Sequence, residues 1–437
     1  MTIFDPMLWL IAVRSLFQHR IRTSLLGAAI AVVTALLVSL AGIYVGMKTT
    51  LLVSATTLMS GHVNVAGFYK STASSSAPVV TQYQKLREIV QRDVKDLDYV
   101  VQRGRGWAKL ISDTGSMQVG IGGIDIVNEP GFVKVVQLKE GSLEGLKQPD
   151  GLLLFEEQAK KLDVKVGDKL TFSAPTFKGT NNTIDVTVVA IAANIGMLSS
   201  WNTYMSDTGL RQLYQLNDET TGALQIYIKD ISKVRAVQES LRKAFAAEGF
   251  ELMDTDPRPF FSKFDGVNRE SWTGQKLDIT NWEDETSFVQ WFVTILTVAA
   301  TTVIFVLTVI IGVGIMNVMW ISIRERTREI GTLRAVGMQR RSVLAMFVTE
   351  GFLLGLMGTT VGVAIGGLAS FLLNNAAIKL PKGAQLVLMS EKLIVAPTAG
   401  WVVFAVIFIT SVITLISLIP SFLAARLKPI SAMSHVG

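Results

Sequence analysis

The sequence predicts a membrane protein with four transmembrane α-helices and a large mixed α/β extracytoplasmic domain between helices 1 and 2. Apolar residues make up 49% of the 437 residues and charged residues only 17%, below the ~25% that is usual in soluble domains. The apolar residues are concentrated in four long runs with few charges, whereas the segment between the first two runs has the composition of a soluble protein. Basic residues are unevenly divided among the connecting segments, which indicates an orientation.

Each apolar run can supply the ~20 helical residues that cross a bilayer. We predict transmembrane helices at residues 24–46, 288–318, 343–373 and 398–420. The first run exceeds the ~7–15-residue core of a signal peptide, so we interpret it as an uncleaved anchor. The second run continues to Ile323 and would be about 54 Å long as one helix, so it should project from the membrane or bend near Gly312 and Gly314. Pro397 and Pro420 bracket the fourth run and are expected at its ends.

The connecting segments differ in basic charge. Segment 319–342 contains six arginines, whereas segment 374–397 contains three lysines. The positive-inside rule therefore places residues 1–23, 319–342 and 421–437 in the cytoplasm, and residues 47–287 and 374–397 outside, on the opposite side of the membrane. Segment 47–287 has 27 basic and 30 acidic residues, so it has no basic excess that would indicate a nucleic-acid partner.

Segment 47–287 is predicted to fold as an α/β domain with two halves. One half would combine both ends of the segment, and the other would be an insertion near residues 110–210. Residue spacing predicts strands at 61–66, 171–173 and 184–191, and helices at 86–95 and 234–248.

Three further stretches of this segment invite structural interpretation. Residues 71–78, with consecutive serines, predict an exposed loop. Gly120-Ile121-Gly122-Gly123 predicts a turn or bulge, because no phosphate-binding context surrounds it. The aromatic stretch 254–287 is open to two interpretations, a docking surface for a partner or a packed connector.

The sequence shows no nucleophile–base arrangement that would indicate a catalytic site. There is no cysteine, and the three histidines, at positions 19, 62 and 435, are too far apart for a local metal motif. A P-loop requires Gly-Lys before Ser or Thr, and no Gly-Lys dipeptide occurs. We therefore predict no catalytic site, no metal site and no cofactor bound by this chain. An enzyme in the outer domain is the less favoured alternative.

The most informative window joins the second run to the arginine-rich segment. It reads Arg324-Glu325-Arg326-Thr327-Arg328-Glu329-Ile330-Gly331-Thr332-Leu333-Arg334-Ala335-Val336-Gly337. Ile330, Leu333 and Val336 can face one side of a helix that ends at Gly337. The four arginines are then available for acidic or phosphate groups. Composition alone is more typical of a positive-inside loop without a partner.

This window resembles the signature of the MacB, LolC/LolE and FtsX-like ABC-transporter permeases, in which Glu-Arg-Thr-Arg-Glu-Ile-Gly-x-x-Arg-Ala-x-Gly follows the second span. In that family the segment is the coupling helix that docks onto an ATPase. The resemblance implies this role for Arg324, Glu325, Arg326, Thr327, Arg328, Glu329, Ile330, Gly331, Arg334, Ala335 and Gly337. Weaker similarities extend over residues 152–170 and 424–430, and short matches at 60–65 and 279–282 favour the lipoprotein-releasing branch.

The resemblance implies partners and a function. The partners are an ABC ATPase dimer that uses ATP and Mg, a second copy or related permease subunit, membrane lipid, and a periplasmic carrier or adaptor. The implied function is mechanotransmission, in which ATPase motion moves the outer domain to extract or export an amphipathic cargo, with a lipoprotein or lipid-like molecule favoured. The alternatives are a MacB-like tripartite exporter of drugs, peptides or toxins, and FtsX-like signalling to a cell-wall hydrolase.

The third run contains a stripe of small residues and one acidic residue. The stripe consists of Gly351, Gly355, Gly358, Gly362 and Gly366. Because these residues lie on one side of a helix, they should allow close helix packing in lipid. Glu350 is expected to pair with an arginine of the window described above, with proton transport as the alternative.

Overall fold

The computed structural model describes residues 6–18, 20–72, 75–176, 179–381, 383–385 and 390–426. The chain divides into two compact units, which we call the membrane unit and the α/β unit. The membrane unit comprises Met1–Met47, Thr294–Ile378 and Leu393–Gly437. The α/β unit comprises Lys48–Val293 and Lys379–Lys392.

The helices of the described residues, in chain order, are α1 (Pro6–Gln18), α2 (Arg20–Ala55), α3 (Tyr83–Asp93), α4 (Pro130–Val135), α5 (Glu156–Leu162), α6 (Leu198–Trp201), α7 (Asp207–Tyr214), α8 (Val234–Ala247), α9 (Phe264–Arg269), α10 (Trp282–Glu285), α11 (Ser287–Glu325), α12 (Thr327–Ala335), α13 (Arg340–Asn375) and α14 (Ala399–Ala425). A π-helical turn, Thr56–Ser60, directly continues α2. The strands are β1 (Val63–Thr72), β2 (Ser75–Ala77), β3 (Leu97–Ile111), β4 (Ser116–Ile124), β5 (Leu138–Gly141), β6 (Gly151–Phe155), β7 (Lys169–Pro175), β8 (Asn181–Ala192), β9 (Asn202–Ser206), β10 (Ala223–Ile228) and β11 (Gly274–Asn281).

Four helices of the described chain are long and apolar enough to cross a membrane. They are Thr23–Ser60, Val293–Glu325, Arg340–Asn375 and Ala399–Ala425. They fall on the four predicted runs and, together with the α/β unit, confirm the predicted fold class. The chain is therefore a multi-pass membrane protein. Each helix extends beyond the predicted span, and residues 6–18 of the predicted N-terminal segment form the separate helix α1.

Helix α11 is longer than predicted. It contains 39 residues, which corresponds to about 58 Å. Its helical hydrogen bonding is continuous through Gly312 and Gly314. It also continues through residues 319–325, which were predicted to belong to the loop. The reason is that Met319 and Ile323 are buried in the hydrophobic core of the membrane unit, which stabilises this additional length of helix.

The expected helix end at Pro420 is wrong. Pro420 lies inside α14, which continues to Ala425. Proline removes one backbone donor, but packing against neighbouring helices can support a membrane helix at such a position. Here Pro420 and the following Ser421, Ala424 and Ala425 are buried, and both alanines belong to the hydrophobic core of the membrane unit.

The glycine stripe of α13 contacts two different helices of the membrane unit. Gly351 and Gly355 face α14, whereas Gly358, Gly362 and Gly366 face α2. At each position an added Cβ atom would lie within 3.3 Å of a neighbouring helix. The close approach of α2, α13 and α14 therefore depends on the absence of side chains along this stripe.

Gly362→Ala is expected to lower the midpoint of thermal unfolding of the purified chain. Its Cβ atom would lie 2.6 Å from the Ala31 carbonyl oxygen and 2.5 Å from Thr34 Cβ, so α2 and α13 would have to separate at a cost of about 1–3 kcal/mol. Gly367→Ala is the matched control, because nothing described lies within 4 Å of the added atom. Equal midpoints for the two variants would contradict this account of the stripe.

The α/β unit is built around an 11-stranded sheet with the order β11-β1-β10-β3-β4-β9-β6-β8-β5, in which β2 pairs with β1, and β7 pairs with β3 and β8. One hydrophobic cluster packs α3 and α8 against β1, β10 and β11. A second is formed within residues 108–214. The strands connect the two clusters, so the two predicted halves share a sheet. The predicted strands fall within β1, β7 and β8, and the predicted helices correspond to α3 and α8.

Two local predictions for this unit are wrong. Residues 75–77 form β2 and not an exposed loop, because they pair with the end of β1. The stretch from Gly120 to Gly123 lies in β4 and not in a turn. Its glycines leave room for neighbouring rings, since a Cβ atom on Gly120 would approach Trp201 and one on Gly122 would approach Tyr204.

The α/β unit brings together the chain segments that continue into α2 and α11. Strand β1, which follows α2, pairs antiparallel with β11, which precedes α11. The pairing begins at Val63 opposite Asn281, and the Trp282 amide donates to the His62 carbonyl at 3.1 Å. The two connections therefore lie side by side on neighbouring strands.

Candidate coupling site

Residues 324–337, which we call the coupling segment, contain the short helix α12 between α11 and α13. The helix ends where Gly337 adopts φ +109°, a conformation that favours glycine. The Gly337 amide donates to the Arg334 carbonyl at 3.2 Å, and the Met338 amide donates to the Leu333 carbonyl at 3.0 Å. These two bonds form a Schellman motif, which explains the predicted break at Gly337.

Arg326 is the centre of a buried polar network in the membrane unit. Its Nη1 atom donates to Ser15 Oγ at 2.8 Å and to Glu350 Oε2 at 3.0 Å, and its Nε atom donates to Glu329 Oε2 at 3.2 Å. The guanidinium also lies 5.3 Å from the Phe347 ring centroid. Because these partners belong to α1, α12 and α13, one side chain connects three helices.

Arg334 and Ile330 anchor the other side of α12. Arg334 Nη1 donates to the Ala425 carbonyl at 2.8 Å, at the end of α14 where helix carbonyls lack intrahelical partners. Ile330 is buried in the core of the membrane unit. Arg326 and Arg334 are thus engaged within the chain, contrary to the prediction that all four arginines of the segment are available. Val336, predicted on the apolar side, is 85% exposed, because the helix has already ended there.

The remainder of the coupling segment forms an exposed face. Its exposed members are Arg324, Glu325, Arg328, Glu329, Thr332, Ala335, Val336 and Gly337. Thr327 is half-buried and Gly331 is buried. The face combines charges of both signs with the apolar side chains of Ala335 and Val336.

Glu350 is buried on α13 and contacts Arg326. Arg326 belongs to the segment that was predicted to supply its arginine partner. A buried carboxylate in an apolar unit requires such a partner. Sequence analysis missed the contribution of α1. The signal was the spacing of Ala12, Ser15 and Leu16, which places three small or apolar side chains on one buried helix face.

No group of three or more potential metal ligands is found in the part of the chain that the structure describes. His62 Nδ1 accepts a hydrogen bond from the Ile228 amide at 3.1 Å. Burial lowers the pKa of His62, which is consistent with a neutral side chain that accepts this bond. His19, His435 and residues 427–430 of the predicted tail motif lie outside the described residues.

The aromatic stretch before α11 is packed within the α/β unit. Phe260 lies under the Arg105 guanidinium at 4.4 Å and contacts Phe261 and Phe264 at ring-centroid distances of 5.9 and 6.4 Å. These contacts favour the packed connector among the two interpretations of the stretch. Nearby is an open cleft of about 770 Å³, lined in part by Arg105, Trp107 and Phe264.

Comparison with known proteins gives a family match for the region that contains the coupling segment. Residues 301–429 match the family model described as FtsX-like permease C-terminal. The macrolide export ATP-binding/permease protein MacB of Neisseria gonorrhoeae is 25% identical over 313 residues, which is 67% of this chain and 42% of MacB. The ABC transporter permease YvrN of Bacillus subtilis is 37% identical over 123 residues, 28% of this chain and 26% of YvrN.

A third relative is the pyoverdine export ATP-binding/permease protein PvdT of Pseudomonas syringae pv. tomato, 35% identical over 125 residues, which is 28% of this chain and 16% of PvdT. The chain spans less than half the length of these relatives. Among solved structures, the periplasmic region of MacB from Actinobacillus actinomycetemcomitans is 12% identical with a TM-score of 0.32, covering 52% of this chain and 92% of that one. The predicted resemblance is confirmed: residues 301–429 match an FtsX-like permease domain, and the chain is similar to ABC permeases of the MacB type.

Proposed function

We propose that this chain is the permease subunit of an ATP-driven complex in the bacterial inner membrane. It would transmit ATPase motion to its α/β unit and thereby extract or export an amphipathic cargo. The observation that carries this proposal is the construction of α12. Arg326 and Arg334 fasten this helix to α1, α13 and α14, while Arg324 and Arg328 remain exposed. A partner that pushes on α12 would consequently move the attached helices with it.

The proposed partner is a separate ABC ATPase dimer that hydrolyses ATP with Mg, and a second copy or related permease subunit would complete the complex. Both termini and the coupling segment would then be cytoplasmic. The uneven distribution of arginines supports this orientation. The mixed charges of the exposed coupling face are suited to a protein partner, because complementary charges guide docking and reject wrong partners.

The cleft in the α/β unit supports an amphipathic cargo. Its volume of about 770 Å³ is within the range of small-ligand sites. Trp107 is 43% exposed and offers an apolar ring, while the exposed side chains of Gln215 and Asn217 line the cleft with polar groups. We favour a lipoprotein or lipid-like molecule, because the short matches at residues 60–65 and 279–282 resemble the lipoprotein-releasing branch. A periplasmic carrier would then receive the cargo.

Two alternatives use the same coupling geometry. The names of the MacB and PvdT relatives refer to macrolide and pyoverdine export, which supports a tripartite exporter with a periplasmic adaptor as the second candidate. Signalling to a cell-wall hydrolase without transport is the third. Transport of cargo in reconstituted vesicles would exclude the third candidate, whereas ATP-dependent hydrolase activation without transport would favour it.

The proposal is tested by purifying the tagged chain from native membranes in mild detergent and identifying its companions by mass spectrometry. Lipoprotein release predicts an ATPase, a second permease and bound lipoproteins. Tripartite export predicts an ATPase with a membrane-fusion adaptor. Recovery of the chain without any ATPase would contradict the proposed function.

A further inference from the structure

The α/β unit holds the end of α2 through a set of buried side-chain donors. The π-helical turn Thr56–Ser60 follows α2 directly, and α2 with this turn forms one continuous helical segment to Ser60. The last carbonyl groups of a helix have no intrahelical partners. A π-helical turn is rare and frequently occurs at functional positions. The hydrogen-bond partners of these carbonyl groups therefore show how the end of α2 is held.

Four consecutive carbonyl groups of this turn accept hydrogen bonds from side chains of the sheet. Tyr227 Oη donates to the Thr56 carbonyl at 3.1 Å, and Tyr204 Oη donates to the Leu58 carbonyl at 3.0 Å. The Met59 carbonyl accepts from Gln225 Nε2 at 2.6 Å.

Two arginines complete the set. Arg103 Nη2 donates to the Thr57 carbonyl at 3.4 Å, and Arg105 Nη2 donates to the Met59 carbonyl at 3.3 Å. We call the five donors, Arg103, Arg105, Tyr204, Gln225 and Tyr227, the carbonyl clamp.

The clamp is buried and distributed across the sheet. Each of its five side chains is at most 7% exposed. They are supplied by β3, β9 and β10, which belong to one run of neighbouring strands with β4 between β3 and β9. Positive charge at the end of a helix is favourable, because the helix dipole is negative there. The end of α2 is thus bonded to several strands and not to a single loop.

The cost of burying charge at this position indicates that the clamp is more than a helix cap. Arg103 forms a buried ion pair with Glu129, and burial raises the pKa of the Glu129 carboxyl to about 7 in spite of that partner. Replacing a buried ion pair by apolar side chains is often neutral or stabilising. A cap that only satisfied the carbonyl groups could use neutral donors or water.

Apolar contacts fix the same segment from the side. Leu51, Ala55 and Leu58 are buried in a cluster that contains Phe132 and the Tyr204 ring. The helix end is thereby held both by packing and by hydrogen bonds. Because hydrogen bonds are directional, several of them at the end of a helix restrict its rotation and displacement.

We propose that the carbonyl clamp is the joint through which movement of α2 reaches the β-sheet. The inference rests on the proposed function, because the ATPase is the proposed source of the movement. The attachment of the end of α2 to the sheet does not depend on the proposed function. It assigns Tyr204, Tyr227 and Gln225, together with the two arginines, as positioning residues that keep α2 and the sheet in register while the complex works.

Adjacent residues of β9 provide a matched pair of variants. Tyr204→Phe deletes the hydroxyl that bonds to the π-helical turn. Thr203→Val deletes the neighbouring buried hydroxyl, which donates to the Leu153 carbonyl of β6 and has no part in the clamp. Tyr204→Phe combined with Tyr227→Phe deletes two clamp donors while both rings keep their packing.

Hydrogen–deuterium exchange of the purified full-length chain in lipid nanodiscs tests the fastening. For the double tyrosine variant we expect exchange in the peptide covering residues 51–61 to rise by at least about tenfold. Tyr204→Phe alone should give a smaller rise at this peptide, and Thr203→Val none. Unchanged exchange in the double variant would overturn the proposal, and so would an equal rise throughout the α/β unit, because the donors would then stabilise the unit in general.

A second readout separates the joint from the proposed function. In the complex with its ATPase, the double tyrosine variant should retain ATP hydrolysis and lose at least about tenfold of ATP-driven cargo movement. Thr203→Val should retain both activities. Full cargo movement in the double variant would contradict the proposal that the carbonyl clamp transmits movement of α2 to the sheet. If wild-type complex hydrolyses ATP without moving any cargo, the proposed transport fails, while the exchange result still decides whether the clamp fastens α2.

Discussion

Arg326→Ala is expected to destabilise the membrane unit by about 3–5 kcal/mol, because it breaks the buried ion pair between Arg326 and Glu350. The substitution also removes the connection to Ser15 on α1. The expected result is a marked fall in the midpoint of thermal unfolding of the chain in detergent. Arg328→Ala is the matched control. It truncates an exposed arginine two residues away and should change stability by less than about 0.5 kcal/mol.

A double variant distinguishes loss of the ion pair from loss of packing. Arg326→Met combined with Glu350→Leu replaces both charges by apolar side chains of comparable length. It should recover most of the stability lost in Arg326→Ala, since no uncompensated charge remains. If Arg326→Ala unfolds at the wild-type temperature, the network does not hold α12 in the manner described.

Reversal of the two exposed arginines of the coupling segment should separate coupling from folding. Arg324→Glu combined with Arg328→Glu is expected to reduce the amount of co-purified ATPase by at least about tenfold, because like charges would meet at the contact. The unfolding midpoint should stay near the wild-type value, since both side chains are exposed. Arg14→Glu on α1 is the control, because it reverses an exposed arginine outside the coupling segment.

The same measurement defines what would contradict the docking assignment. If the Arg324 and Arg328 double variant retains the ATPase at wild-type levels, the exposed face is not the contact. If the ATPase is lost together with thermal stability, the two arginines contribute to the fold in a way that their exposure does not suggest. Val336→Asp should produce a smaller loss of ATPase, because Val336 is an exposed apolar residue of this face.

Sequence patterns were sufficient for the membrane helices and insufficient for their lengths. Long apolar runs and the glycine spacing of α13 reflect constraints that act along a single helix. Residues 319–325 and Pro420 depend instead on tertiary contacts, since a helix continues where neighbouring helices bury its side chains. The ends of α11 and α14 were consequently misplaced.

The coupling segment shows a related limit. Charge pattern identifies a basic segment, but it cannot tell which arginines turn inward. Arg326 and Arg334 are held by Glu350 and by the Ala425 carbonyl, which are far away in sequence. The end of α12 at Gly337 could be predicted from the sequence, because a glycine ends a helix through its own backbone conformation.

The sequence of β3 contains a weak indication of the carbonyl clamp, which the sequence-based predictions did not include. Arg103 and Arg105 alternate with glycines in β3, and two arginines in a strand are ordinarily read as solvent-facing. Val101 suggested otherwise, because it lies two residues before Arg103 on the same face of the strand and is apolar. Only the position of the π-helical turn reveals why two cations are buried there.

The central claim is that this chain carries ATPase motion to its α/β unit, and hydrogen–deuterium exchange of the assembled complex with and without ATP tests it most directly. We predict that ATP changes exchange in the coupling segment and also in peptides 51–61 and 99–107 of the α/β unit. We further predict that the Arg324 and Arg328 double variant abolishes the change in the α/β unit. An ATP response confined to the ATPase and the coupling segment would contradict the claim.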